Sequence, residues 1–295
     1  MRLRSLPKPY PIAPSRLLEV LLVFSAGLCR TWKRSAVVDA YPSLLDFQQT
    51  YRALDQQLLG SNDAPAVANV DRLAALLGRY SPQDLIIATA HHSHFIAFLN
   101  ACARYGIPLA ACYKAAAQSY LDASERNGLK LVDLSSGNGV PSLFRTLDRQ
   151  RAEGRYVVIM MDGPFASRRR YGFLGYCIAA SCLASLYARK THSGLLPLIC
   201  SVSPSLQLSY TAGPVIDGVR TDVTQCLLDF LQPILLREYP QYQWLSNSVL
   251  MSDQEARDNA LGFLREALEW RAAHTSSHFM MPPPLASLLS VTRSS

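Results

Sequence analysis

The chain has 295 residues, 49% hydrophobic and only 17% charged, which suits the core of one large α/β domain or two small ones and excludes bulk disorder. Lys and Arg outnumber Asp and Glu by 29 to 22, a formal charge of +7 that favours anionic partners such as phospholipid headgroups or acidic carrier proteins. Nucleic acid is not expected, because there is no zinc knuckle, no aromatic-basic RNA signature and no basic run beyond Arg168, Arg169 and Arg170.

Residues 1–15 contain Pro7, Pro9, Pro11 and Pro14 and predict an extended arm. Residues 17–29 are apolar apart from Glu19 and lie between Arg16 and the group Arg30, Lys33 and Arg34. They are too few for the roughly 20 residues of a spanning helix. A helix lying on an anionic membrane surface is the preferred reading, ahead of a helix packed on the domain and of an export signal. The organisation is therefore an arm and apolar helix over 1–34, an α/β domain over 35–274, and a mobile tail over 275–295 that contains Pro282, Pro283 and Pro284.

Helical spacing over 41–59 and 67–80 predicts a helical pair separated by the breaker Gly60-Ser61-Asn62-Asp63-Ala64-Pro65. Strands and helices then alternate: strand 85–90, helix 94–105, strand 109–113, helix 115–127, strand 129–134. The loop Ser135-Ser136-Gly137-Asn138-Gly139 leads through Pro141 into a helix ending near Gly154, and strand 156–161 is closed by Asp162-Gly163-Pro164. A helix of small residues over 178–190, a strand over 195–201 broken by Pro197, a partner strand over 206–211 and helices over 219–237 and 254–273 complete the pattern. The alternation predicts a mostly parallel sheet flanked by helices. Seven cysteines make no C-x-x-C pair and several sit in apolar runs, as reduced core thiols of a cytoplasmic protein do.

Three of the six histidines, His91, His92 and His94, follow the apolar run Leu85-Ile86-Ile87-Ala88-Thr89-Ala90. The carboxyl end of a buried strand is where an α/β enzyme places a catalytic base. No Asp or Glu lies between Asp84 and Asp122, so a carboxylate partner has to come from a distant segment.

The order of segments over roughly residues 70–250 resembles the lipid A biosynthesis acyltransferase family, a branch of the lysophospholipid acyltransferase superfamily. Ile86-Ile87-Ala88-Thr89-Ala90-His91 is similar to its strand running into the catalytic His. Gly106-Ile107-Pro108 through Tyr113-Lys114 follows its Gly-x-Pro strand, with Lys114 at an Arg position. Val157-Val158-Ile159-Met160-Met161-Asp162-Gly163-Pro164 resembles its strand and acidic turn. Ala188-Arg189-Lys190, Gly194 to Ile199, and Tyr239-Pro240-Gln241-Tyr242-Gln243-Trp244 match its later segments. The departure is the acid five positions after the His, which is Ile96 counting from His91, Ala97 from His92 and Leu99 from His94.

The resemblance implies a glycerolipid-acyltransferase-like fold. It also implies transfer of an acyl or aminoacyl group from a carrier-protein thioester to a hydroxyl or amine of a lipid, sugar or specialised metabolite. On this reading the donor is expected on the phosphopantetheine of an acyl or peptidyl carrier protein, no metal or nucleotide cofactor is expected, and the expected location is peripheral on the cytoplasmic face of the inner membrane. Alternatives are a non-catalytic lipid- or carrier-binding relative and, third, a metallohydrolase using the His92-Ser93-His94 pair, for which only His192, His274, His278 and remote carboxylates remain as further ligands.

His91 is the expected base, against a histidine that only hydrogen-bonds the sheet edge. His94, about one turn further on, is a second base or a partner to His91. Asp162 either supplies the missing charge, binds substrate or caps a turn. Lys114 is a candidate for phosphate or phosphopantetheine, and Arg168, Arg169 and Arg170 for an acidic carrier or headgroup, or else these are solvated cations. Ser135 and Asn138 are candidates to cradle a phosphate, although the loop matches no P-loop. There is no G-x-S-x-G elbow, which argues against a serine hydrolase.

Overall fold

The computed structural model describes residues 50–59, 65–113, 118–134, 139–162, 169–173, 176–178, 180–238 and 241. The expected arm, the apolar helix 17–29, the helix 254–273, the tail and both domain boundaries lie outside the described residues.

Strands β1 (Leu85–Thr89) and β4 (Tyr156–Met160) are buried at every position, so they read as unbroken apolar runs rather than as alternating ones. They form the middle of a sheet with β2 (Leu109–Tyr113), β3 (Lys130–Asp133) and β7 (Gly194–Val202) in the order β3-β2-β4-β1-β7. All four pairings along this path are parallel. β8 (Leu208–Ala212) and β9 (Ile216–Asp217) run antiparallel along the far edge of β7. The chain is thus an α/β protein with a mostly parallel sheet, as the alternation predicted.

Helices cover both faces. On one, Leu85, Ile87, Leu109, Ala111, Tyr156, Val158, Leu196 and Leu198 share a core with Leu54 and Leu58 of helix α1 (50–59), Leu73 and Leu77 of α2 (Val70–Leu77), and Phe98 and Cys102 of α3 (Phe95–Arg104). The alternate residues, including Ile86, Ala88, Val157, Ile159 and Leu195, are equally buried and point to the opposite face. There α6 (Leu183–Thr191) packs against β1, β4 and β7. Helices α4 (Gln118–Arg126) and α5 (Val140–Ala152, with Pro141 in its first turn) lie against β3 and β4 respectively, and α7 (Val223–Arg237) lies against β7.

Several boundaries differ from expectation, among them the helix expected over 67–80, which spans Val70–Leu77, and the strand expected over 206–211, which spans Leu208–Ala212. Pro197 does not break β7, which runs through it. Its carbonyl accepts from Gly213 N–H, and its own missing N–H faces the same edge, just beyond the end of β8, so the strand continues past it. The helix expected from residue 178 starts at Leu183, because Tyr176–Ile178 forms strand β6, paired with β5 (Tyr171–Phe173). The helix expected from residue 219 starts at Val223, because Asp217 accepts from Val219 N–H and closes a turn at Gly218.

Candidate active site

β1 and β4 are parallel neighbours in a register that pairs Thr89 with Met160, and Met161 N–H donates to Thr89 O at 2.7 Å. The chain therefore leaves both strands at the same level. His91 lies two residues beyond Thr89 and Asp162 two residues beyond Met160, which sets one side chain against the other. Asp162 accepts twice from His91, through Oδ2 from the backbone N–H at 2.9 Å and through Oδ1 from ring Nδ1 at 2.8 Å.

The Asp162 side chain is 2% exposed and the His91 ring 20%. A carboxylate facing Nδ1 selects the tautomer with its proton there, which leaves the lone pair on Nε2. The double contact fixes ring and backbone together, as a base oriented by an acid requires. Phe95 meets the His91 ring edge-on, with centroids 5.2 Å apart.

The other two histidines of the cluster have different partners. His92 is fully buried and donates from Nδ1 to Cys200 O at 2.7 Å, while Cys200 Sγ donates to His92 O. Burial holds His92 below the usual imidazole range, opposed only in part by the Cys200 carbonyl and by Glu238 and Asp162. Ser93 has φ 51°, and its N–H donates to Gln241 O.

His94, expected as a second base or a partner to His91, is fully buried and takes neither position. Its Nε2 meets Asp55 Oδ1 at 2.6 Å, and its Nδ1 accepts Ala97 N–H at 3.2 Å as the N-cap of α3. With both nitrogens so engaged, the ring holds a helix end rather than a substrate proton. The rings of His92 and His94 are thus bonded to separate partners. Among the described residues no group of three His, Cys, Asp or Glu side chains converges as a metal site.

Of the remaining candidates, Lys114, Ser135, Asn138 and Arg168 lie outside the described residues. Arg169 and Arg170 are exposed just ahead of β5. Of the expected site residues, the structure brings His91 and Asp162 together. Asp55 is the member of the cluster's surroundings that the sequence reading missed; it sits in an amphipathic helix next to Leu54, and nothing in its spacing points to a histidine 39 residues away. A cavity of about 480 Å³ lies elsewhere, between β3 and α5, lined by Lys130, Asp133, Arg149 and Glu153 among others, and neither His91 nor Asp162 borders it. Its mixed charge and open setting single out no chemistry.

No protein-family model matches the chain, and no curated protein is significantly similar to it. Among the described residues no helix is long and apolar enough to cross a membrane.

Proposed function

We propose that the chain is an acyltransferase-like enzyme that moves an acyl or aminoacyl group from a carrier-protein thioester to a hydroxyl or amine, with His91 as general base and Asp162 as the carboxylate that orients it. The observation that carries this reading is the pair of hydrogen bonds from His91 to Asp162 at the carboxyl ends of two adjacent parallel strands. The acid that the resembled family places five residues after its His is Ile96 here. A carboxylate from the end of β4 fills the same chemical role, 71 residues away in sequence.

In this scheme Nε2 of His91 takes the proton of the acceptor hydroxyl or amine as its oxygen or nitrogen attacks the thioester carbonyl. The new C–O or C–N bond forms, the C–S bond breaks, and the imidazolium returns its proton to the departing thiolate. Asp162 stabilises the imidazolium between the two transfers. Arg169 and Arg170, with Lys114, Arg168, Ser135 and Asn138, are the groups proposed to hold the phosphopantetheine arm, the acidic carrier or the acceptor. The net charge of +7 suits a carrier protein and an anionic membrane face, where the enzyme would act peripherally on the cytoplasmic side.

The competing reading is a non-catalytic relative that retains a carrier or lipid groove. It draws on the second bond of Asp162, to the His91 backbone N–H, which is turn capping in its own right. Incubation with carrier proteins loaded with acyl or aminoacyl thioesters, followed by intact-mass detection of unloading and of product, separates the two. The enzyme reading expects transfer that His91→Ala abolishes while carrier binding persists; binding without transfer by the unaltered protein supports the scaffold instead.

A further inference from the structure

Two histidines three residues apart are each set against a carboxylate, but through opposite nitrogens. His91 presents Nδ1 to Asp162, whereas His94 presents Nε2 to Asp55. The His94 arrangement is dictated by its second bond. Nδ1 accepts Ala97 N–H, so it carries the lone pair, and the ring proton has to be on Nε2, where Asp55 receives it at 2.6 Å.

Tyr51 stacks on the His94 ring at 4.1 Å with planes 8° apart, and Tyr120 donates its hydroxyl to the same Asp55 oxygen. Burial first, then Tyr51 and Asp55, push the Tyr120 phenol well above its usual range, so it remains a donor. Asp55 therefore has two donors fixed on one oxygen, from α3 and α4, while itself belonging to α1.

The cap matters to His91 because Phe95, the first residue of the capped helix, packs edge-on against the His91 ring. Between them the backbone passes through the left-handed turn at Ser93. The bond from Ala97 N–H to Nδ1 of His94 closes the helix start that follows this turn.

We propose that Asp55 is a positioning residue for His91: by fixing the Nε2–H tautomer of His94 it keeps the α3 cap closed, and the cap holds Phe95 and the 91–94 turn in the arrangement that seats His91 on Asp162. This rests on the reading of His91 as the working base, and it extends that reading to a second carboxylate on a different helix. Asp55→Asn tests it most sharply, because it removes the charge opposite Nε2 and replaces an obligatory acceptor with a side chain that can also donate there.

The readout is the His91 Nδ1–H proton in the ¹⁵N-labelled full chain, assigned by its loss in His91→Gln and followed by hydrogen exchange. Asp55→Asn is expected to speed its exchange about tenfold, the equivalent of losing one hydrogen bond's worth of order. His94→Asn supplies a capping oxygen that needs no tautomer. It should keep the proton protected, and adding Asp55→Asn to it should change nothing further.

Unchanged exchange in Asp55→Asn, even with lowered thermal stability, would overturn the proposal, as would an Asp55 effect that persists in the His94→Asn background. If Asp55→Asn alone does not fold, the comparison of His94→Asn with the double variant decides the matter. Absence of the protected proton from the unaltered protein would overturn the dyad and this inference together. A protected proton with no transfer from any loaded carrier would leave the positioning intact and remove the proposed reaction.

Discussion

His91 is the member of its cluster with a partly exposed ring and a carboxylate on Nδ1, and these two properties separate it from two neighbours with the same side chain. Asp162→Asn replaces the acceptor with an amide that favours the wrong tautomer, and it is expected to slow the chemical step by about three to four orders of magnitude with little loss of carrier affinity. Single-turnover rates beside equilibrium binding measure the two effects separately. His92 makes a different prediction. Its folded-state pKa lies below the ordinary 6.5, so the unfolded chain binds a proton more readily. The stability associated with burying it neutral is complete above pH 6.5 and declines as pH falls below that value. Denaturant titrations between pH 5 and 8 should show this slope, and His92→Gln should flatten it.

At the scale of elements, the dyad is a consequence of register. Because β1 and β4 are parallel neighbours paired at Thr89 and Met160, equal two-residue extensions meet. On its other side β1 pairs with β7, which turns back through β8 and β9 at the far edge of the sheet. Gly218 is the tightest point of that return: a Cβ there would lie 2.2 Å from Ser193 O and 2.7 Å from the Ala188 side chain. Gly218→Ala should therefore cost about 1–3 kcal/mol or more of stability, read as a lowered unfolding midpoint, since backbone on one side has no rotamer with which to yield.

Much at this scale was legible in the sequence. Runs such as Leu85-Ile86-Ile87 and Val157-Val158-Ile159 have no polar alternation and announce strands buried on both faces. The strand at Tyr176–Ile178 was missed because the small residues that follow it continue a helical spacing, and a three-residue strand exists only by virtue of its partner β5. Pro197 looked like a strand break because sequence does not show which edge its absent N–H would face.

Over the whole molecule the two ends of the sheet do different work. At the carboxyl ends of β1 and β4 sits the dyad. At the opposite end Arg151, 4% exposed, donates to Pro82 O at 2.8 Å, to Ser193 Oγ at 2.6 Å and to Gln83 O, tying α5 to the segments that enter β1 and β7. Arg151→Ala removes these three charge-assisted hydrogen bonds, and should lower stability by about 3 kcal/mol while the rate per folded molecule is unchanged. Asp162 stood out in the sequence as a strand-end acid after an apolar run, so its meeting with His91 was foreseeable. Asp55 was not, because a carboxyl on the inner side of an amphipathic helix looks the same whether it meets solvent or a histidine.

The role proposed for Asp162 is to orient His91 as a base. Single-turnover transfer from a thioester-loaded carrier protein by the unaltered chain and by Asp162→Asn tests it most directly. A step at least about a thousandfold slower in the variant, with loaded-carrier binding retained, is the expected result. Transfer by Asp162→Asn at the unaltered rate would contradict it.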